Sequence, residues 1–333
     1  MRCTALSAVV RPLLRGLSRA TGIATSVIMP TCDKATYLDL TLATLERQVF
    51  PSDLWELIVI DDSSADTTPQ VLKFYEGRGL LPLVHQRSLK NRGRAGARND
   101  ALQIAQGHTI IFLDDDRLTG PDFLLQHALR HRGDPCVVHG DTNQRIHTHL
   151  FPPIDRALLQ RLRAQGWGNV LPHHMTAPER FVNREDLADP RRLRSLGSLY
   201  VKRHVYQETS RAFKDRGMSW LSFTTGNSSV LRDQVRAIGG FDEEFRGWGF
   251  EDNDLALRLQ ETGLPLHFEP TISTLHQVHP TGATKVADHR RNMRHFFCKH
   301  PRLDRTELEP LFTLKVPPDQ WIKQQSNRQR LTT

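Results

Sequence analysis

The sequence predicts an α/β protein with a mostly parallel sheet, and three observations lead to this prediction. Short apolar runs rich in β-branched residues recur in the first half of the chain, and segments with helical spacing of apolar residues separate them. Two of the runs end in acidic residues, at Asp61-Asp62 and at Asp114-Asp115-Asp116. Repeated strand-helix-strand units favour right-handed crossovers in one parallel sheet. Open sheets of this kind bind ligands at the edge where the strands end, so both acidic groups are candidates for a binding site.

The elements follow in order from Thr25, where the folded part is expected to begin. The predicted strands are Ser26–Pro30, Leu54–Ile60, Leu83–His85, His108–Leu113 and Cys136–Gly140, and the predicted helices are Tyr37–Gln48, Thr67–Tyr75, Ala95–Gln106 and Pro121–Arg132. Residues 141–218 lose clear periodicity, which is typical of a binding segment, a mobile lid or a partly helical excursion. Regular structure returns with a strand ending at Leu231, a helical turn closed by Gly239-Gly240, a helix from about Glu251 and a strand at Leu266–Phe268.

Composition restricts the class of protein only weakly. The 45 Lys and Arg residues exceed the 37 Asp and Glu residues, and the net charge of +8 suits a phosphorylated or polyanionic partner or an anionic membrane surface. No nucleic-acid-binding motif accompanies the basic residues, so we expect no nucleic-acid partner; that alternative would require steeply salt-dependent binding. The four cysteines form no CxxC pair, which indicates a reduced, cytoplasmic protein.

The acidic triplet Asp114-Asp115-Asp116 lies where a buried strand is expected to end. Three adjacent carboxylates repel one another, and Asp is a poor strand residue, so a cation or donor groups are expected to receive them. A divalent metal ion is the simplest candidate. The alternative is a solvated loop in which an aspartate caps the next helix.

A second acidic group, Glu251, Asp252 and Asp254, opens the predicted helix. The helix dipole and the unpaired backbone N–H groups favour anions there, so we expect Asp252 to be ionised. Helical spacing from Leu255 places Asp252 near the inward face and Asp254 outward. An ionised carboxylate in this position suits a general base for a hydroxyl nucleophile, and plain helix capping is the competing explanation.

Seven short motifs then occur in a characteristic order. They are Val27-Ile-Met-Pro-Thr31, Ile60-Asp-Asp-Ser-Ser64, Ala97-Arg-Asn99, Phe112-Leu-Asp-Asp-Asp116, Thr225-Gly-Asn227, Gly239-Gly-Phe-Asp242 and Gly247-Trp-Gly-Phe-Glu-Asp252. The ordered set, over about residues 25–280, resembles family 2 glycosyltransferases. The last motif is similar to the Trp-Gly-x-Glu-Asp element of chondroitin-polymerase-like and β-1,4-galactosyltransferase-like enzymes.

The resemblance implies a GT-A fold and an inverting hexosyltransferase that moves a sugar from a nucleoside diphosphate sugar, with UDP favoured, to a carbohydrate or other hydroxyl acceptor. It implies Mn²⁺ or Mg²⁺ bound by Asp116, Asp114 and His276, with His279 as the second choice of histidine; imidazole favours Mn²⁺. Asp252 with Glu251 would form the catalytic pair. The nucleotide-sugar ligands would be Pro30, Thr31, Asp61, Asp62, Arg98, Asp114, Asp115, Asn227 and Trp248.

Two further alternatives stay open. An inactive relative would bind a nucleotide sugar or a partner enzyme without turnover. A metallohydrolase would use His276, His279 and the acids, although the sequence lacks an HExxH helix.

The predicted organisation places the glycosyltransferase domain at residues 25–285. Within it, 25–140 is the nucleotide-sugar-binding half, 141–220 an irregular acceptor or lid insertion, and 221–285 the acceptor and catalytic-base half. Residues 1–24 carry four arginines and no acid, so they predict a leader that is disordered or peripheral to a membrane. Residues 286–333 predict a basic tail with Phe296 and Phe297 packed on the domain and a disordered end. No apolar stretch reaches the roughly 18 residues of a membrane span.

Overall fold

The computed structural model describes residues 10–14, 22–152, 155–167, 179–189, 193, 195–199, 203–280, 282–313 and 315–332. The strands are β1 (Thr25–Thr31), β2 (Trp55–Asp61), β3 (Leu83–Arg87), β4 (Thr109–Leu113), β5 (Arg117–Thr119), β6 (Val137–Ile146), β7 (His149–Leu150), β8 (Glu179–Arg180), β9 (Gly197–Leu199), β10 (Asn227–Leu231) and β11 (Leu266–Gln277). The helices are α1 (Ala35–Leu45), α2 (Thr68–Arg78), α3 (Gly93–Ile104), α4 (Phe123–Arg130), α5 (Arg156–Leu162), α6 (Arg203–Asp215), α7 (Arg232–Ala237), α8 (Glu251–Glu261), α9 (Lys285–Lys299), α10 (Arg305–Phe312) and α11 (Pro318–Thr332).

One nine-stranded sheet organises the chain, in the order β3-β2-β1-β4-β10-β6-β11-β5, with β9 paired to β6. The four strands β3, β2, β1 and β4 are mutually parallel, as the β-α-β pattern predicts. β10 runs antiparallel between β4 and β6, and β5 runs antiparallel beside β11. The carboxyl ends of β1, β2 and β4 therefore lie at one edge, together with the residues that follow them.

Helices cover both faces of the parallel strands. Every residue of β1 and β2 is buried, which is typical of parallel strands between two helical layers. Alternate side chains belong to different cores: Val27 of β1 packs with Leu38 of α1, whereas Ile28 packs with Ala101 of α3. This double-sided packing holds the strand ends in fixed positions.

The predicted irregular segment at 141–220 is more regular than its sequence indicates. β6 does not end at Gly140 but continues to Ile146, and α6 is an amphipathic helix. Asp141, Thr142 and Asn143 of β6 are buried, and the N–H of Asn143 donates to Oδ1 of Asp141 at 2.8 Å. The polar composition of the segment after Gly140 therefore does not indicate a solvated loop. Residues 168–178 of this segment lie outside the described residues.

The described part of the leader packs on the domain. Val10 and Leu14 are buried in the same core as β1, and Nη2 of Arg11 lies 2.6 Å from Oδ1 of Asp53. Residues 1–9 and 15–21, on which the predicted disorder also falls, lie outside the described residues. Across the described ranges, no helix has the length and apolar character needed to cross a bilayer.

The predicted tail belongs to the main core. Phe296 and Phe297 of α9 are buried, as predicted, and Trp321 of α11 joins the same cluster. The described residues form a helix to Thr332, whereas the sequence predicted a disordered end. A division at residue 285 would separate α9 from the core that it completes.

Asp242 ties this C-terminal region to the rest of the domain. Its carboxylate accepts from Nζ of Lys299 at 2.6 Å and lies 3.1 Å from Nε2 of His295, while the N–H of Glu244 donates to it at 3.0 Å. Burial raises the pKa of Asp242, but these donors outweigh burial and hold the pKa at about 2.

We therefore expect acid to remove part of the stability through Asp242. The folded pKa is depressed, so the stabilisation is complete above the unfolded pKa of about 4 and is lost as pH falls toward the folded pKa. Solvent screening limits the effect to about 1 kcal/mol. Urea unfolding at pH 5 and at pH 3 should show a smaller pH dependence in Asp242→Asn than in the wild type. Equal pH dependence would contradict this assignment.

Candidate active site

A cavity lies at the carboxyl edge of β1 and β4. Its lining consists of Pro30, Thr31, Cys32, Lys34, Asp62, Arg94, Asp114, Asp115 and Asp116. The sequence predicted six of these residues as ligands, and they lie at the ends of three separate strands. Cys32, Lys34 and Arg94 were not predicted. Asp61, Arg98, Asn227 and Trp248, which were predicted with them, do not line this cavity.

Asp116, His276 and His279 form a candidate metal site. Oδ2 of Asp116 lies 3.5 Å from Nε2 of His276 and 3.0 Å from Nε2 of His279, and one possible ligand atom from each residue lies within 4.8 Å of the others. The antiparallel pairing of β5 and β11 sets this geometry, because His276 pairs with Arg117 and the N–H of Gln277 donates to the carbonyl of Asp116 at 2.9 Å. Both candidate histidines therefore lie beside Asp116.

The chemistry of this group suits a divalent cation. Oδ1 of Asp116 is buried, and the described residues give it no hydrogen-bond partner. Burial raises the pKa of Asp116, but hydrogen bonds from His276 and His279 outweigh burial and hold it well below its usual range. Burial lowers the pKa of His276, which favours the neutral imidazole that binds metals. An ionised carboxylate with two imidazoles is a donor set for a transition metal such as Mn²⁺.

The neighbouring carboxylates differ from Asp116. Burial and the charge of Asp116 raise the pKa of Asp115 to about 7. Nη2 of Arg98 donates to Oδ1 of Asp114 at 2.9 Å, so Asp114 is held toward α3. The candidate metal group among the described residues is therefore Asp116 with two histidines, and Asp114 is not part of that three-residue cluster.

Arg98 joins the two acidic groups of the sequence. Its side chain is only 2% exposed, and its Nη1 lies 3.6 Å from Oε1 of Glu251 and 3.7 Å from Oδ1 of Asp252. The other end of the same guanidinium binds Asp114. Asp114 and Asp252 are thus neighbours across one buried cation. Arg98 therefore connects the two acidic groups from inside the protein. The sequence predicted a different role for it, that of a direct nucleotide ligand.

Arg94 is one of the cavity residues that the prediction missed. It lies one helical turn before Arg98 on α3, its side chain is exposed, and it lines the cavity. The basic stretch between Arg87 and Arg98 was visible in the sequence. However, the sequence alone did not show which arginine of α3 faces the cavity.

Asp252 is held by Thr225. Oγ1 of Thr225 donates to Oδ1 of Asp252 at 2.6 Å, and the N–H of Thr225 donates to Oδ2 at 3.2 Å. The Asp252 side chain keeps 21% exposure, whereas Glu251 beside it is buried and burial raises its pKa. Asp252 is therefore the more accessible acid of the predicted catalytic pair.

Asp254 does not face outward as predicted. It is fully buried and lies 2.7 Å from Nη2 of Arg258, 2.9 Å from Nζ of Lys299 and 2.9 Å from Nε2 of His300. The reason is that α9, which the sequence patterns did not reveal, covers this face of α8.

Asn227 is a core residue. It is fully buried, its Nδ2 donates to the carbonyls of Asp141 at 3.3 Å and Ile272 at 2.9 Å, and its Oδ1 lies 2.9 Å from Nε2 of His127. These bonds connect β10 to β6, to β11 and to α4, and they use both polar atoms of the Asn227 side chain. Asn227 therefore packs in the core, and its nucleotide-sugar contact stays a prediction.

The side chains of Asp61 and Asp62 both accept hydrogen bonds from backbone N–H groups near the end of β2. The N–H of Ser64 donates to Asp61 at 2.9 Å. The N–H groups of Arg92 and Gly93, at the start of α3, donate to Asp62 at 2.7 and 2.8 Å. Asp62 lines the cavity, whereas Asp61 is not among its lining residues.

Trp248 lies on the α9 side of Asp252. Its ring is 38% exposed, Nζ of Lys285 lies 4.2 Å from the ring centroid, and His289 stacks at 5.3 Å. An exposed aromatic ring near a carboxylate is a suitable surface for an apolar sugar face.

Comparisons with known proteins agree with this fold. The family model described as glycosyl transferase family 2 matches residues 26–189, and the model described as N-terminal domain of galactosyltransferase matches residues 207–280. The chain belongs to glycosyltransferase family 2. It has the GT-A fold and is a glycosyltransferase.

Two relatives and one solved structure illustrate the similarity. The uncharacterized glycosyltransferase YfnE of Bacillus subtilis (strain 168) is 29% identical over 308 residues, covering 92% of this chain and 78% of YfnE. Validoxylamine A glucosyltransferase of Streptomyces hygroscopicus subsp. jinggangensis is 30% identical over 84% of this chain, which spans only 61% of that protein. The fold resembles mannosyltransferase PcManGT from Pyrobaculum calidifontis, solved with GDP-Man and Mn²⁺, with a TM-score of 0.55, 17% identity and coverage of 96% of this chain and 82% of that one.

Proposed function

We propose that this protein transfers a sugar from a nucleoside diphosphate sugar to an acceptor hydroxyl in a metal-dependent, inverting single displacement. The observation that carries the proposal is that Arg98 pairs with both Asp252 and Asp114, and Asp114 lines the same cavity as Asp116 of the candidate metal group. One group can neutralise a departing diphosphate while the other removes the proton of the incoming hydroxyl. UDP is the favoured nucleotide, and the GDP-Man bound by PcManGT makes guanine the first alternative to test.

The donor would bind along the cavity. Pro30, Thr31 and Asp62 line its nucleoside end, where main chain and a carboxylate can receive the ribose and base. Asp116, His276 and His279 would hold Mn²⁺, with the buried Oδ1 of Asp116 as a ready ligand atom. A bound divalent cation offsets the charge that develops on the leaving diphosphate. Arg94 and Lys34 also line the cavity and would add positive charge to the same oxygens.

Asp252 would act as the general base. Its two hydrogen bonds from Thr225 fix the carboxylate while part of its surface stays open to an acceptor. As the acceptor oxygen attacks the anomeric carbon, Asp252 takes the hydroxyl proton and the bond to the diphosphate breaks. A single attack from the face opposite the leaving group inverts the anomeric configuration. Oε1 of Glu251 lies 3.6 Å from Nη1 of Arg98, and Glu251 would thereby hold that arginine in place beneath the reacting groups.

The acceptor half would comprise residues 141–220 and the surface around Trp248. A carbohydrate acceptor fits an exposed tryptophan ring, since the C–H face of a sugar is apolar and stacks on aromatic rings. In this proposal residues 25–140 serve the donor and residues 221–285 supply Asp252 and His276.

A thermal-shift screen tests the proposal. The protein is titrated with UDP-, GDP- and dTDP-sugars, with Mn²⁺ and after chelation by EDTA. We expect one nucleotide class to stabilise the protein only with metal, by about 2.7 kcal/mol at a hundredfold excess over Kd. The same sugar should release its nucleoside diphosphate, and NMR of the transferred sugar should show inversion. Stabilisation by no nucleotide, or stabilisation unaffected by EDTA, would contradict the proposal.

A further inference from the structure

The segment Arg246–Phe250, which leads directly into Glu251 and Asp252, has an unusual backbone. Gly247, Gly249 and Phe250 have φ values of 74°, 98° and 74°. The left-handed region is open to glycine but is a rare conformation for a bulky residue such as phenylalanine. Phe250 therefore needs its surroundings to hold it there. Phe250 is the N-cap residue of α8, so its backbone conformation sets the direction in which the helix begins. The position of Asp252, the second residue of the helix, depends on that direction.

Asn292 of α9 binds this segment through its backbone. Its side chain is 1% exposed, and its Nδ2 donates to the carbonyls of Arg246 at 2.9 Å, Gly249 at 2.9 Å and Trp248 at 3.3 Å. An amide nitrogen has two hydrogens, so the longest of these contacts shares a hydrogen with another. Arg291 also donates to the carbonyl of Arg246. One buried side-chain amide thus donates to three backbone carbonyls of a loop that belongs to no helix or strand.

The rest of α9 fits the same loop closely. A Cβ on Gly247 would lie 2.3 Å from Oδ2 of Asp288, and a Cβ on Gly249 would lie 3.3 Å from Cδ2 of His289. The Phe250 ring packs at 5.0 Å from His289 and 5.3 Å from Phe296, measured between centroids. The loop therefore has little space to move toward or away from α9.

We infer that Asn292 is a positioning residue for the transfer reaction. It fixes the Arg246–Phe250 segment so that Asp252 and Trp248 keep their places beside the cavity. This inference rests on the proposed role of Asp252. Asn292 itself is buried beneath the loop, and α9 lies beyond the regions 26–189 and 207–280 that the family models match.

The test replaces Asn292 with leucine, which has a similar shape but donates no hydrogen bond. We expect kcat for Mn²⁺-dependent release of nucleoside diphosphate from the donor to fall roughly 30- to 100-fold, because small misplacement of a catalytic group is costly. The donor KM and the nucleotide Kd should stay within about twofold, since the donor cavity lies on the β1 and β4 side.

Met293→Ala is the matched control. Met293 is also buried on α9 and contributes to the same core, but the Asn292 contacts to the loop carbonyls do not involve it. Its loss should lower Tm while kcat, measured well below Tm, stays within about threefold of the wild type. A merely structural role for Asn292 would give the same pattern as Met293→Ala, and this result would overturn the inference.

Gly247→Ala provides an independent variant in case Asn292→Leu does not fold. The added Cβ meets Asp288, so it should displace the same loop and lower kcat with little change in the donor KM. Unchanged kcat in Gly247→Ala and in a folded Asn292→Leu would refute the positioning role. If the wild type itself releases no nucleoside diphosphate from any donor, the proposed function fails, which is a distinguishable result.

Discussion

Asp252→Asn is expected to keep metal-dependent nucleotide binding and to lose roughly 10²- to 10⁴-fold in turnover, the usual contribution of a general base. The amide has the same shape as the carboxylate and still has an oxygen to accept from Thr225. It cannot take a proton at neutral pH. The measurement is the rate of nucleoside diphosphate release beside the nucleotide Kd of the same sample.

The matched control for Asp252→Asn is Glu261→Gln. Glu261 ends the same helix and is exposed, so this variant removes one negative charge from α8 outside the site. It should turn over like the wild type. Retained turnover in Asp252→Asn would rule out the base, and lost nucleotide binding would point to a collapse of the Arg98 cluster instead.

Asp116→Ala is expected to abolish the stabilisation that nucleotide and Mn²⁺ give together, and to reduce turnover by a factor of the order of 10³. The variant removes the only carboxylate of the three-residue metal group and leaves His276, His279 and Lys34 without their shared partner. Two imidazoles alone form a weak site for Mn²⁺, which prefers oxygen ligands as well.

The readout for Asp116→Ala is the ligand-dependent increment in Tm. The Tm of the unliganded variant is unsuitable, because removing one of three crowded carboxylates also removes repulsion with Asp115. Asp134→Ala, at an exposed aspartate away from the cavity, is the control and should show the full increment. An equal increment in Asp116→Ala would contradict the assigned ligand.

The sequence predicted those parts of the fold that local patterns determine. Buried parallel strands read as continuous apolar runs, and the carboxyl ends of parallel strands share one edge. Pro30, Asp62 and Asp114 could therefore be placed together, although they are distant in the chain. The family order of motifs then identified His276 as a ligand candidate on a strand that is apolar only in part.

Features that depend on packing between distant segments were not predictable in the same way. The sequence did not show that Arg98 faces the interior while Arg94, one turn earlier, faces the cavity. Asn227 begins a short polar strand and resembles a ligand residue, but its side chain forms hydrogen bonds with His127 and with the carbonyl of Ile272. Such partners become visible only when the sheet order is known.

The C-terminal region shows the same limit most clearly. Basic residues dominate α9, so its sequence indicated a solvated tail, and its few apolar residues gave only a hint of packing. The buried position of Asp254 and the loop contacts of Asn292 both follow from that one helix. Only the three-dimensional structure relates this helix to Asp252.

A crystal structure with Mn²⁺ and an unreactive nucleoside diphosphate sugar would show whether the two acidic groups serve one substrate. We expect the metal on Asp116 and at least one of His276 and His279, with the diphosphate beside Arg94. We also expect the Asp252 carboxylate on the face of the anomeric carbon opposite the leaving oxygen. A metal bound elsewhere, or a sugar whose reacting face points away from Asp252, would refute the proposed function.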